Sequence, residues 1–345
     1  MEEVLYPVLS LNTNITAFLK KVISADIFGC VKTGLKNDID LTDKGTHITS
    51  VASIEKCDEG VSSQVKLSSA YCQYLWLLCD VVLKILDRRV ITAACIYYGI
   101  SLEAFLQSVE ETNKKTKEQV LPFIPDFFKP DIERYLAYLK IVPELLADDF
   151  WTRVGFEYAL SESLKEIKYP IDIEGLKSID MNSKYSERTN SVYSYGIAFC
   201  LLHELAHHQL GHLEKEEEMK DEVDADAQAF WNIYKDITGE ERFSANIGIL
   251  CVFFSFMMLN PTLKEDYIHP REDKRMFAIY DRIVKENPKY TLLLVYILDF
   301  WGKMNNTVTI IVSAGAVLDF DYKGIFPFVK KITEEVLKLI IQIEK

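Results

Sequence analysis

Four of the six histidines in the chain lie between positions 203 and 212, within the stretch LLHELAHHQLGH. His203 and His207 are four residues apart, and Glu204 directly follows the first of them. On an α-helix this H-E-x-x-H spacing puts two imidazoles on one face, where both can bind one zinc ion. Glu204 lies on another face and can accept a proton from water that the metal activates. A polar patch on a solvated helix is the alternative explanation.

A catalytic zinc ion needs a third protein ligand, and the following segment EKEEEMKDEVDADAQAFWNIY offers candidates. Helical periodicity resumes there, with Glu222 and Asp226 on one face. The 15 residues from His207 to Glu222 suit an antiparallel helical hairpin, which would bring Glu222 level with His207. The neighbouring acidic residues are expected to form only a solvated helix start: Glu216, Glu217, Glu218 and Asp221. His208 and His212 do not share the ligand face, so they are assigned to the helix surface or to the surroundings of the ligands.

The two segments together resemble the gluzincin pattern of the HtpX and CAAX-processing metalloproteases, which is H-E-x-x-H followed by E-x-x-A-D. The resemblance implies that His203, His207 and Glu222 bind zinc. It also implies that Asp226 orients a ligating histidine, a role with a physical basis in fixing the tautomer of the ring. The expected core is therefore zincin-like, with the H-E-x-x-H helix and the next helix forming the hairpin.

A third segment, YIHPREDKRM at 267–276, is similar to the H-P-x-x-x-x-R segment of the same enzymes. His269 and Arg275 stand at the matching positions, and Arg275 is expected close to the ligands. His269 or the nearby Tyr267 would donate a hydrogen bond to the oxyanion that develops during peptide hydrolysis. A His-Pro pair that only starts a helix is the alternative.

The membrane helices of those enzymes have no convincing counterpart here, and the spacer between His207 and Glu222 is shorter. As a whole the chain looks most like the Lit-type phage-exclusion peptidases, which are intracellular bacterial metalloproteases. That resemblance implies a soluble zinc endopeptidase that cleaves an intracellular protein, such as a translation elongation factor, during phage infection.

Two rival functions fit parts of the pattern. A stress-response protease that cuts a repressor could use the same hairpin, and a DNA-binding helix-turn-helix would point to it, but none is recognised. A non-catalytic interaction protein could hold zinc as structure. A fourth ligand from His208, His212 or Asp221 would favour that second rival, because structural zinc sites are closed by four protein ligands.

Composition narrows the class of protein. The chain has 345 residues, of which 49% are hydrophobic, and a formal charge of −13, which would repel the phosphates of nucleic acid. Seven cysteines, an odd number without metal-type CxxC spacing, indicate reduced core residues. The N-terminus MEEVLYPVLSLNTN does not look like a secretory signal. A cytoplasmic protein is therefore expected.

The pattern along the chain predicts a mainly α fold with a small β component. A mainly helical region with a possible small sheet is expected at 1–120 and the metallopeptidase region at 121–345. Within them, the sequence predicts a helix near 14–24, a strand face at Ile48, Ala52 and Ile54, and a long helix at 71–86. Two further helices are expected to start near Ser101 and at the cap-like Asn190-Ser191. The uncharged stretch 247–259 has only 13 residues, whereas a membrane helix needs about 20, so a buried core segment is expected.

Overall fold

The computed structural model describes residues 8–23, 40–41, 51–56, 63–97, 99–123, 136, 139, 184–215, 218–259 and 269–286. In this part of the chain 84% of the residues are helical and strands are few. The mainly α class predicted from the sequence is therefore confirmed.

The described α-helices are numbered here in chain order. They are α1 (Val8–Val22), α2 (Ser69–Tyr97), α3 (Leu102–Asn113), α4 (Lys117–Val120), α5 (Lys184–Gln209), α6 (Met219–Tyr234), α7 (Gly239–Leu259) and α8 (Glu272–Glu286). Two short 3-10 helices follow α4 and α5, at Leu121–Phe123 and His212–Glu214.

Three short strands form one small sheet in the order β1-β3-β2. They are β1 (Asp40–Leu41), β2 (Ala52–Lys56) and β3 (Ser63–Leu67). β3 runs parallel to β1 and antiparallel to β2, with Ile54 opposite Val65. Ala52 and Ile54 pack against the core, as the alternating pattern predicted, while Ile48 lies outside the described residues.

The predicted helix at 71–86 is correct but too short, since α2 continues without a break to Tyr97. Residues 87–97 include neither proline nor glycine, so no helix-breaking residue ends the helix at position 86. Gly99 lies just past its end with a φ of 63°, a left-handed conformation that glycine adopts at little cost. Ser101 then caps α3 by accepting a hydrogen bond from the Ala104 N–H at 3.1 Å, which confirms the predicted start.

The helix that carries the histidines begins before Asn190, so the predicted N-cap at Asn190-Ser191 is wrong. The Asn190 side chain accepts a hydrogen bond from the Trp76 indole at 2.7 Å, and it therefore ties α5 to α2 instead of capping a helix. Next to it, the Thr189 hydroxyl donates to the buried Asp80 carboxylate at 2.9 Å. These contacts fix the first half of α5 against α2.

α5 and α7 approach each other closely at two glycines, Gly196 and Gly248. A side-chain carbon on Gly248 would overlap the carbonyl oxygen of Val192, and one on Gly196 would lie 3.1 Å from the carbonyl oxygen of Gly248. Only glycine leaves room for this backbone contact. The two histidines of the motif, two to three turns further along α5, are buried as well.

α7 is the most apolar of the described helices. Its segment Glu241–Leu259 is long and apolar enough to cross a membrane by length and composition, but 72% of the most apolar window is buried inside the protein. Core helices of soluble proteins share this property. The stretch 247–259 packs against α5 and α2 in the core, as expected from its length.

Buried residues from both sides of position 120 form one hydrophobic cluster, in which Trp76 of α2 and Phe253 of α7 are examples. α5 contributes to it through its contacts with α1, α2, α6 and α7. The five cysteines in the described ranges are buried and unpaired, which fits reduced core residues. The division into 1–120 and 121–345 stays a prediction.

Candidate metal and active site

Three buried side chains converge between α5 and α6: His203, His207 and Glu222. The Nε2 atoms of the two histidines are 3.1 Å apart. Nε2 of His207 lies 3.3 Å from Oε1 of Glu222, and Nε2 of His203 lies 3.5 Å from Oε2. The structure thus brings together the three residues that the sequence motifs singled out as ligands.

The spacing of these donor atoms suits a tetrahedral metal ion. Donors that are about 2.0–2.1 Å from such an ion stand roughly 3.3 Å from one another, which is close to the three observed distances. Two imidazoles and one carboxylate are also a donor set that zinc accepts. The group could therefore hold a metal ion.

The contacts run in opposite directions along the two helices. His207 contacts Glu222, whereas His203, one turn earlier on α5, contacts Asp226, one turn later on α6. α5 and α6 are consequently antiparallel at the site. Side chains four residues apart share a face of a helix, so this register presents both histidines to both carboxylates.

The reversal between the two helices depends on local backbone chemistry. Gly211 adopts a φ of 73° just after the end of α5, a conformation that costs other residues about 1 kcal/mol or more. α6 then begins after Glu218, whose backbone N–H donates to Oδ2 of Asp221 at 3.1 Å. This cap sets the start of α6, and Glu222 is the next residue along.

Arg275 of α8 lies behind the ligands and joins two carboxylates. Its Nε and Nη2 donate to the Asp226 carboxylate at 2.8 and 2.9 Å, and its Nη1 lies 2.9 Å from Oε2 of Glu222. Oδ1 of Asp226 also lies 2.9 Å from Nδ1 of His203, although the angle falls short of that of a hydrogen bond. The predicted neighbours of the ligands, Asp226 and Arg275, are therefore in contact with them.

The charges in this cluster are coupled. Burial alone would raise the pKa of Glu222, but hydrogen bonds from His203 and His207 and the charge of Arg275 hold it well below its usual range. Burial likewise opposes ionisation of Asp226, and Arg275 reverses this, so the pKa is lowered. Burial lowers the pKa of His203, yet Asp226 and Glu222 raise it to about 10. Two ionised carboxylates therefore face one guanidinium, and the remaining negative charge attracts a cation, whether a proton or a metal ion.

A cavity of about 480 Å³ lies beside the ligands, and Glu204 lines it together with His203 and Glu222. Burial raises the pKa of Glu204, and the charges of the two histidines of the motif oppose this rise. A carboxyl group on the cavity wall, outside the ligand group, suits proton transfer to and from a bound substrate. The apolar part of the wall comes mainly from α5 and α7: Phe199, Val252, Phe256 and Leu259.

His269 lines the same cavity and its side chain is exposed. It lies directly before Pro270 and α8, the helix that carries Arg275. The His-Pro segment and the histidine motif therefore meet at one cavity. The role of His269 as an oxyanion donor stays a prediction, and Tyr267 lies outside the described residues.

Two more residues lie beside His207: sequence reasoning missed Asp221 and left His212 either on the helix surface or in the surroundings of the ligands. Nδ1 of His212 lies 3.1 Å from Nδ1 of His207, and Nε2 of His212 lies 3.2 Å from Oδ1 of Asp221. Asp221 is only 2% exposed, so the prediction of a solvated residue there is wrong, and His212 is not on the helix surface. The left-handed turn at Gly211 folds His212 back onto the motif helix. The glycine just after the last periodic residue was the available signal.

Comparison with protein families finds that residues 65–294 match the model of the peptidase U49 family. The matched region is about two thirds of the chain and contains α2, α5, α6, α7 and α8, and hence the whole ligand group, Glu204, His269 and Arg275. No curated protein and no solved structure matches the chain. The match over most of the chain shows that this protein belongs to the peptidase U49 family.

Proposed function

We propose that the protein is a zinc-dependent endopeptidase of the gluzincin type. The observation that carries this proposal is the convergence of His203, His207 and Glu222 at the spacing expected around a tetrahedral ion. Glu204 in the adjoining cavity supports hydrolysis as the reaction. Membership of a peptidase family supports a peptide bond as the target.

In the proposed mechanism each residue of the site has a separate role. When bound, zinc supplies Lewis acidity, which polarises a carbonyl and lowers the pKa of water toward about 7. Glu204 accepts a proton from the attacking water and passes it to the leaving amine. His269 on the cavity wall, or Tyr267 near it in the chain, donates a hydrogen bond to the developing oxyanion. Asp226 and Arg275 hold the ligands in their orientation.

The number of ligands favours a catalytic site over a structural one. Among the described residues the potential ligand group has three members, whereas structural zinc sites are closed by four. His212 contacts the ring nitrogen of His207 that is not part of the ligand group. A position for substrate therefore stays open toward the cavity.

The proposal extends to an intracellular protein substrate, such as a translation elongation factor, that is cleaved in the cytoplasm during phage defence. Its support is the resemblance of the motifs and of the chain to the Lit-type phage-exclusion peptidases. The apolar wall of the cavity, which includes Phe199, Val252 and Phe256, would accommodate an apolar side chain next to the scissile bond.

The test is proteomics of new protein N-termini in cells that express the wild type, Glu204→Gln or Glu187→Gln. Glu187 is an exposed residue on the same helix, so its variant is the matched control. We expect cleavage products with the wild type and Glu187→Gln and none with Glu204→Gln, while all three bind about one zinc per chain. Cleavage by Glu204→Gln would exclude the mechanism. Wild-type protein that neither contains nor takes up zinc would exclude a zinc enzyme.

A further inference from the structure

We propose that His212 and Asp221 form a relay, a ring-to-ring hydrogen bond backed by a carboxylate contact, that fixes the tautomer and orientation of His207 as a metal ligand. Both are positioning residues, since neither belongs to the ligand group. The inference rests on the proposed function, because it assigns these residues a purpose at the same metal site. Nothing in the H-E-x-x-H motif itself requires them.

The relay consists of a hydrogen bond between two histidine rings and an ion-pair contact between the second ring and Asp221. Nδ1 of His207 is 3.1 Å from Nδ1 of His212, and Nε2 of His212 is 3.2 Å from Oδ1 of Asp221. His212 is 5% exposed and Asp221 is 2% exposed. The two imidazole rings lie 5.1 Å apart at an angle of 71°.

Only one order of protons makes His207 a ligand in this arrangement. Its Nε2 must keep a free lone pair for the metal, so its proton must be on Nδ1. That N–H can donate to Nδ1 of His212 only if this nitrogen is unprotonated. His212 then carries its proton on Nε2, the nitrogen that lies 3.2 Å from Oδ1 of Asp221, where the negative charge of the carboxylate favours it. The carboxylate at the end of the chain therefore selects the tautomers of both rings.

Asp221 is itself fixed by two other groups. The Lys215 ammonium donates to Oδ1 at 2.7 Å, and the Glu218 backbone N–H donates to Oδ2 at 3.1 Å. The second contact caps α6, on which Glu222 is the next residue. The same helix start thus positions a ligand and the end of the relay.

The relay gives each ligating histidine its own carboxylate. His203 lies against Asp226 directly, while His207 reaches Asp221 through His212. Carboxylates that contact ligating histidines raise the basicity of the ring and restrict its rotation. The relay serves this purpose for His207, whose Nδ1 contacts His212 and no carboxylate among the described residues.

The first test measures zinc affinity by chelator competition for full-length His212→Leu, His212→Asn and Asp221→Asn. We expect His212→Leu to weaken zinc binding about 10- to 100-fold, because the acceptor for His207 is lost. His212→Asn should recover part of this loss, since its amide oxygen can accept from Nδ1 of His207. The matched controls, His208→Leu and Asp224→Asn, should bind zinc like the wild type. Wild-type affinity in His212→Leu would overturn the relay.

The second test determines the tautomers by long-range proton–nitrogen NMR of protein labelled with ¹⁵N-histidine. We expect a proton on Nδ1 of His207 and on Nε2 of His212, and Asp221→Asn should shift the His212 signals. A proton on Nδ1 of His212 would overturn the relay even if the variants misfold. The spectra are recorded on zinc-loaded protein, because without the metal Nε2 of His207 faces the Glu222 carboxylate and can carry the proton itself. Wild-type protein that binds no zinc would instead refute the proposed function, and the relay with it.

Discussion

Glu222 contacts both histidines of the candidate ligand group and also Arg275. It also balances the charge of the cluster, because its carboxylate stays ionised despite burial. The neighbouring Asp224, two positions further, has a side chain that is 47% exposed. The difference between these two acidic residues is therefore one of position on the helix and not of chemistry.

We predict that Glu222→Ala loses zinc and that Asp224→Ala keeps it. Removing one of three ligands weakens a catalytic zinc site severely, whereas Asp224 lies on the outer face of α6. Metal analysis of the purified variants after dialysis measures the effect. If Asp224→Ala emptied the site instead, the register of α6 against α5 would be wrong.

The proposed role of His269 does not involve metal binding. We predict that His269→Ala retains full zinc content and lowers kcat about 10²- to 10³-fold with KM little changed, since an oxyanion contact forms mainly in the transition state. Steady-state kinetics on the identified substrate, with metal analysis of the same sample, checks this. Tyr267→Phe is the paired variant. Should it show the loss while His269→Ala stays active, the tyrosine is the donor.

For the helices, the sequence predicts the features that depend on residue spacing within one helix or on the number of residues to the next helix. The four-residue spacing of His203 and His207 and the 15 residues to Glu222 predicted that these three side chains lie together, as they do. The position of Arg275 near the site was predicted only from the resemblance of its segment to H-P-x-x-x-x-R. It is 49 residues from Asp226 in the chain, and no local rule connects the two.

The features that the sequence did not predict, the start of α5 and the burial of His212, depend on the tertiary structure. Asparagine is common at helix N-caps, but the side-chain oxygen of Asn190 accepts a hydrogen bond from Trp76 of α2. Asn190 therefore lies inside α5 and does not begin it. The burial of His212 depends on the positive φ of Gly211, which a glycine permits but does not dictate. Periodicity on one helix cannot predict where the chain turns after it.

The glycine contact between α5 and α7 leads to a prediction about stability. We expect Gly248→Ala to lower the free energy of unfolding by about 1–3 kcal/mol, because its methyl group would overlap the carbonyl oxygen of Val192. Gly196→Ala should cost less, about 1 kcal/mol, since the nearest atom is 3.1 Å away. Urea unfolding of both variants gives the comparison. Equal losses would contradict the close approach at Gly248.

For the whole molecule, metal binding should be coupled to stability. In the buried cluster two carboxylates of α6 face one guanidinium of α8, and a cation at the histidines of α5, a proton or a metal ion, balances the remaining negative charge. A zinc ion that binds only the folded chain would add about 2.7 kcal/mol at a free concentration 100 times its Kd. We therefore predict that a chelator lowers the melting temperature of the wild type. Glu222→Ala should melt at the same temperature with and without the chelator, and a chelator effect in that variant would point to another metal site.

The position of Arg275 in the chain also has a consequence for synthesis on the ribosome. The two histidines and Glu222 leave the ribosome well before Arg275, the cation that pairs with both carboxylates. A chain that stops after α6 holds all three ligands, but it lacks that cation and the cavity walls from α7 and α8. The candidate site is completed only when α8 has been translated, and we expect fragments that stop before α8 to lack peptidase activity.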